Sequence, residues 1–419
     1  MESVTLSTTR RRFCLAASAS PLGFAIGRAI GDDDSKPREG KAKSLILLWL
    51  DGAPSQLETF DPHPGTPIGG PTRAIQSTVP GLNFAHPLPK LAREAKSLCV
   101  VRSLTSKEGD HDRARYFMKT GYRPIPSVVH PALGAVCGKE LSGEGLKLPP
   151  YITLLGKDER AGGGYLGDDY DPFVVLDVAK PVPDLSSPVE KTRRDRRFAA
   201  LDVIEQSLSK ERPKLAERTN HGGRIRQALE LMDSPQVSAF DLGKEPDSVR
   251  RLYGDSPFGK ACLAARRLVE ARVPCVEVQL RGWDSHANNF NIHDRLCADL
   301  DPGISGLIAD LRSRDMLDST LVVCVGEFGR TPAINGVAGR DHWNTGFSGI
   351  LAGGGIRAGF VYGKTSPKGS TDVENPIAVP DFLATILTAL GVDLRKEYTG
   401  PLGRPMKVCE GTARQELLA

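Results

Sequence analysis

Residues 320–347 read TLVVCVGEFGRTPAINGVAGRDHWNTGF. The run 321–325 is apolar and rich in β-branched side chains, and Thr320 and Gly326 bound it. A run that is apolar at every position, without alternation, predicts a strand covered on both faces. Directly after it come Glu327, Arg330, Asp341, His342 and Trp343, spaced by glycines. Charged groups at the carboxyl end of a buried strand are where open α/β sheets hold their ligands. The stretch therefore predicts a fold class and the place of a site together.

Working outward, SLILLWL at 44–50 is a second run of this kind, and Asp51-Gly52 ends it. Residues 98–104, 151–155 and 274–280 read as further strands, with shorter ones at 347–352 and 359–362. Helical spacing appears between them at 88–96, at 111–122 with a glycine stop, and at 127–140 with Pro131 near its start. Residues 256–271 place Phe258, Ala261, Cys262, Ala265, Leu268 and Val269 on one face, with Ser256 as N-cap and Pro257 at the first helical position. A later stretch carries Leu300, Ile304, Leu307, Ile308 and Leu311, with a break expected at Pro302. Residues 381–390 form the last helix. Alternating strands and helices predict an α/β fold, a doubly wound and mostly parallel sheet with helices on both faces. Residues 53–71, rich in Pro and Gly, read as a loop that still carries Ser55, Glu58, Asp61 and His63. Residues 156–255 read as a loop-rich and helical insertion within one domain spanning 44–419, the part 192–233 being highly charged.

The chain has 419 residues, 40% hydrophobic and 25% charged, with a net charge of +4. That composition is ordinary for a globular protein and gives no push toward nucleic acid or membrane surfaces. Of the eight cysteines, none forms a C-x-x-C pair, and most sit in apolar runs as small buried hydrophobes; one disulfide remains compatible with an oxidising compartment. Residues 9–30 place paired arginines before Phe13 and Leu15 and a short Ala/Ser/Gly-rich run after them. This predicts a leader for the twin-arginine (Tat) export machinery, joined to the domain by a polar linker that ends at residue 43, and a periplasmic or secreted protein. Pro21 and Gly23 break the run too early for a lasting membrane span.

Polar groups gather after four of these strands. They are Asp51, then His111 with Arg115, then Asp284 with His286, then Glu327 with Asp341 and His342. In a parallel sheet all four groups converge on one edge. Carboxylates and imidazoles together make a nitrogen/oxygen site for a divalent metal such as zinc, manganese or calcium, and Arg115 or Arg330 would hold an anionic oxygen. Each group also has a structural reading. Asp51-Gly52 suits a strand-ending turn, 283–286 an Asx-turn, Glu327 and Arg330 a salt bridge, and Asp341-His342 a hydrogen-bonded pair. His63, His86, His130 and His293 read as structural. There is no G-x-S-x-G, H-E-x-x-H or Walker A pattern.

The leader, LWLDGAPSQLETFDPHPG (48–65), the stretch from Tyr253 through GWDSHANNF and GEFGRTPAINGVAGRDHWNTGFSGILAGGGIRAG (326–359) resemble the bacterial domain-of-unknown-function 1501 family. That family is grouped with the alkaline phosphatase and sulfatase superfamily. The resemblance implies a doubly wound core with a metal site at the strand ends. It implies Asp51, Asp284, His286, Glu327 and His342 as metal ligands, and Asp341, beside His342, is a further candidate ligand from the residues themselves. At position 328, where the superfamily's Asp-His pair has its histidine, this chain has Phe328. Laid on the sulfatase nucleophile pattern, 111–121 aligns Arg115 and Thr120-Gly121, with His111 at the nucleophile position. The resemblance so implies an exported hydrolase of phosphate or sulfate esters on a small-molecule or glycan substrate, with His111 as nucleophile or base and Ser55 as the fallback nucleophile. The other class it leaves open is a non-catalytic exported binding protein on the same fold.

Overall fold

The computed structural model describes residues 42–156, 161–183, 185, 187, 189–211 and 221–419. The expected leader, and the expected linker up to residue 41, lie outside the described residues. Among these residues nine strands form one sheet. In chain order they are β1 (Ser44–Asp51), β2 (Leu98–Thr105), β3 (Tyr151–Leu154), β4 (Phe173–Val175), β5 (Cys275–Arg281), β6 (Thr320–Val325), β7 (Thr345–Gly353), β8 (Phe360–Tyr362) and β9 (Ile377–Ala378). Their order across the sheet is β8-β2-β7-β6-β1-β5-β3-β4, and β9 adds to β2. Only β7 runs against its neighbours β2 and β6; every other pairing is parallel. This is the doubly wound, mostly parallel α/β sheet that the apolar runs predict.

The central strands read as continuous apolar runs because both of their faces are covered. Along β1, Ile46, Leu48 and Leu50 enter one core cluster, while Leu45, Leu47 and Trp49 enter the other. On the first side the sheet is covered by α3 (Pro257–Glu270) and α4 (Asn289–Ser313). On the second it is covered by α1 (His111–Thr120), α2 (Leu133–Leu141) and α5 (Val379–Ala389).

Two expectations change. First, α4 runs straight through Pro302, without the expected break. A proline in a helix interior costs about 3 kcal/mol. Leu296, Leu300, Ile304, Leu307, Ile308 and Leu311 are all buried on this helix, and each contributes roughly 1.5–3 kcal/mol on burial, so packing outweighs the proline. Second, the segment 156–255 is not only loop and helix. Its strand β4 joins the sheet edge, pairing Ile152 with Phe173 in parallel, ahead of helices Lys191–Glu211 and His221–Met232. The seven cysteines among the described residues are free and buried. No helix among the described residues is long and apolar enough to cross a membrane.

The position of α1 matters for the site. Asp110 caps it, its side chain accepting from the Arg113 amide at 3.2 Å, and Gly121 ends it at φ 79°. A buried ion pair anchors its far end: Lys119 Nζ donates to Glu277 Oε1 on β5 at 2.8 Å. Tyr151 and Gln279 donate to the same carboxylate at 2.9 Å each.

Candidate metal centre

The carboxyl ends of β1, β2, β5 and β6 share one edge of the sheet, and there the predicted groups meet. The close approach begins at Gly52, whose φ is +108° and where a Cβ would stand 2.7 Å from the Asp284 amide nitrogen. Only glycine lets the end of β1 pass so near the turn after β5. The backbone N–H of Gly52 donates to Glu327 Oε1 at 3.0 Å, which ties the end of β1 to the residue just beyond β6.

At the centre of the site is Asp284. One oxygen, Oδ1, accepts from Arg330 Nη2 at 2.6 Å and faces His286 Nε2 at 3.2 Å and His342 Nε2 at 3.6 Å. The other, Oδ2, faces His111 Nε2 at 3.4 Å. Burial pushes the Asp284 carboxyl up, but the bond and charge of Arg330, with His111 and His286, outweigh it and hold the group below the usual carboxylate range.

The three imidazoles are oriented alike. His111 Nδ1 lies 2.7 Å from Glu327 Oε1, His286 Nδ1 lies 2.8 Å from Asp341 Oδ1, and His342 Nδ1 lies 2.8 Å from the Gly109 carbonyl. Each of these partners only accepts, so each Nδ1 carries a proton, and a ring in its neutral form presents its Nε2 lone pair. All three Nε2 atoms face Asp284. Phe328, almost fully buried, packs against two of the rings, its centroid 5.0 Å from that of His111 and 4.7 Å from that of His342, which themselves stand 4.4 Å apart.

Burial lowers the His342 pKa, and the positive charge of His111 and Arg330 adds to that against the Gly109 bond, so this ring is held neutral. Burial acts the same way on His111, but the hydrogen bond and charge of Glu327 and the charge of Asp284 outweigh it and raise its pKa.

These residues fit a divalent cation. His111, Asp284 and His342 each offer a ligand atom, and these atoms all lie within 4.8 Å of one another. Ligand atoms of a tetrahedral zinc stand roughly 3.4 Å apart for bonds of about 2.1 Å. His111 Nε2 and Glu327 Oε2 are buried without a hydrogen-bond partner, an arrangement that costs free energy unless something else satisfies them. Carboxylate or carbonyl partners on the far nitrogen of each histidine are what orient metal-ligating imidazoles.

Not every expected residue takes its expected place. Glu327 and Asp341 hold His111 and His286 by their Nδ1 atoms. Asp51 lies outside the cluster of three; its Oδ1 pairs with Arg115 Nε at 2.9 Å, at the lip of the site. Arg330 is not an exposed anion clamp. It has no exposed surface, and its guanidinium donates to the carbonyls of Gly52, Ala53 and Arg340 as well as to Asp284. The alternative reading of Glu327 and Arg330 as a salt bridge gives way to this Arg330–Asp284 pair. Ser55 is fully buried, its amide donating to His293 Nε2 at 2.8 Å, so the fallback nucleophile is withdrawn. The Gly109 carbonyl and the buried pair Glu58–Arg340 were not foreseen. A carbonyl leaves no trace in sequence, and an arginine between Gly339 and Asp341 reads as solvated.

Comparison with known structures finds several at low similarity. The PsFucS1 sulfatase from Pseudoalteromonas sp. is 14% identical, with a TM-score of 0.38 over 85% of this chain and 68% of that one. A protein in the alkaline phosphatase superfamily from Vibrio parahaemolyticus is 11% identical, with a TM-score of 0.40 over 85% and 68%. The lipoteichoic acid synthase LtaP from Listeria monocytogenes is 11% identical, with a TM-score of 0.38 over 85% and 74%. No curated protein matches the sequence. Residues 42–418 match one family along nearly the whole described domain, and the chain belongs to it: the family described as "Protein of unknown function (DUF1501)".

Proposed function

We propose that this protein is an exported, metal-dependent hydrolase of phosphate or sulfate esters. The observation that carries the reading is the common orientation of His111, His286 and His342, each held by Nδ1 with Nε2 turned to Asp284. His111, Asp284 and His342 would hold the metal, and His286 stands beside them. A bound divalent ion would supply Lewis acidity and lower the pKa of water. The protein's own groups do the rest. Arg115, a quarter exposed beside Asp51, is placed to meet an anionic ester oxygen. His286 is nearly half exposed, and Asp341 fixes its ring. Protonated at Nε2, His286 gives that proton to the leaving oxygen as the ester bond breaks; water supplies the entering oxygen, and the proton that water releases returns to Nε2.

A second reading, a binding protein that keeps the metal centre without turnover, is favoured by one observation: burial of Ser55 removes a hydroxyl nucleophile from the site. Hydrolysis of aryl phosphate and aryl sulfate esters by the metal-loaded protein separates the two. Turnover that falls at least about a hundredfold in Asp284→Ala supports the hydrolase. Metal binding with no turnover of either ester class supports the binding protein.

A further inference from the structure

We infer that the buried ion pair Glu58–Arg340 sets the spacing of the metal-binding side chains, making these two positioning residues of the metal centre; the inference rests on the reading of that centre given above. Arg340 has no exposed surface and Glu58 almost none. Their contact is bidentate, Nε to Oε2 at 3.0 Å and Nη2 to Oε1 at 2.8 Å. The other bonds of the guanidinium go to the carbonyls of Thr331 at 3.0 Å, Pro332 at 2.6 Å and Ile68 at 2.7 Å. Glu58 also accepts from Asn289 Nδ2 at 2.9 Å and Thr72 Oγ1 at 3.2 Å.

The backbone of Arg340 is what faces the site. Its N–H donates to the Ser285 carbonyl at 3.0 Å, and its own carbonyl accepts from Arg330 Nη1 at 3.3 Å. Ser285 lies between Asp284 and His286, and Asp341 and His342 follow Arg340 directly. One residue thus ties the Asp284–His286 turn, the loop leading into His342 and the loop after β1. Neither Glu58 nor the Arg340 guanidinium bonds to a candidate ligand atom, so the pair acts through the loops it holds.

Gly339 shows independently how closely those loops are set. A Cβ there would stand 1.8 Å from the His286 carbonyl oxygen. Asn335 bridges the same contact, donating from Nδ2 to the His286 carbonyl at 2.8 Å and accepting from the Gly339 amide at 2.8 Å. The backbone contact at Gly339 and the ion pair therefore both bear on the gap between His286 and His342. A buried ion pair is weak evidence for added stability, because a well-packed apolar replacement often does as well. Fixed distance is what it supplies, and a metal site needs its ligands held to within about 0.5 Å.

The test is zinc affinity, measured by titration calorimetry with zinc chloride after dialysis against a chelator, on the folded full chain. Glu58→Gln loosens the pair, while Gly339→Ala keeps both charges and wedges the loops apart. Arg266→Lys is the control. Arg266 is equally buried and pairs with Glu245 and Asp310 at 2.8 Å each, away from the site. Both Glu58→Gln and Gly339→Ala are expected to weaken zinc binding about 10- to 100-fold, while Arg266→Lys lowers the melting temperature and leaves zinc affinity unchanged. Wild-type affinity in folded Glu58→Gln overturns the positioning role of the pair, and wild-type affinity in folded Gly339→Ala overturns the dependence of the site on loop spacing. Should Glu58→Gln fail to fold, Glu58→Asp, which keeps the charge but draws it back from Arg340, decides in its place. A wild type that binds no zinc overturns the metal-centre reading itself, and this inference with it.

Discussion

His286 Nε2 and His342 Nε2 stand 3.0 Å apart, and each ring has its other nitrogen held by an oxygen acceptor. With each Nδ1 bonded to an acceptor, both Nε2 atoms are left facing one another beside the Asp284 carboxylate. A divalent cation there would draw on imidazole and carboxylate together. A divalent metal should therefore stabilise the fold. At a metal concentration 100-fold above Kd, linkage predicts about 2.7 kcal/mol. Thermal denaturation checks it: the melting temperature rises with zinc or manganese, falls back with a chelator, and in His342→Ala does not respond.

Glu327 predicts a separable effect. It reaches both the His111 ring and the Gly52 amide, so Glu327→Ala frees the ring and orphans a buried N–H. Metal affinity should fall about 10- to 100-fold, and stability by about 1–3 kcal/mol. Calorimetric titration and urea unfolding of the same sample measure the two losses. Loss of stability with unchanged metal affinity would contradict the orienting role.

The Lys119–Glu277 pair anchors the helix that begins at His111, and both side chains are nearly fully buried. Lys119→Met leaves a buried carboxylate short of its cation and should cost about 3–5 kcal/mol. Adding Glu277→Gln removes the uncompensated charge, so the double variant should be more stable than Lys119→Met alone. A double variant no more stable than Lys119→Met, in guanidinium unfolding, would refute this.

Acid should loosen the loop after β1. Burial opposes the charged form of Glu58, but Arg340 and His293 outweigh it and depress its pKa. Asp61 is depressed in the same way against burial, by His63, Arg102 and Thr365. A carboxyl with a depressed folded pKa adds stability that is present above its unfolded value, about 4.3 for Glu and 3.9 for Asp. That stability is lost as pH falls through the lower folded value. The stability of wild type should thus drop steeply below about pH 4, and Glu58→Gln should flatten that drop while lowering stability at pH 7. Urea unfolding from pH 7 to pH 3 tests both.

Much of the fold was legible because β1 and β6 are buried on both faces, which turns a strand into a continuous apolar run. The edge carrying the site was legible for a related reason: a mostly parallel sheet brings the ends of several strands together. Which acid would bind and which would orient was not legible. Asp284 and Glu327 both follow a buried strand, yet one is half exposed and the other fully buried. Local sequence contains no sign of that, because the difference arises from Gly52, 232 positions before Asp284 and 275 before Glu327. The burial of Arg330 and of Arg340 failed to show for the same reason, since carbonyls from distant loops are what bind their guanidinium groups. Pro302 misled because its local penalty is small beside the burial along α4.

The most direct test of the metal centre is the divalent metal content of the purified protein by mass spectrometry, for wild type and the Asp284→Ala/His342→Ala double variant. The geometry predicts about one ion per wild-type chain and none in the folded double variant. A wild type that holds no ion, even after incubation with zinc, manganese and calcium, would contradict the account.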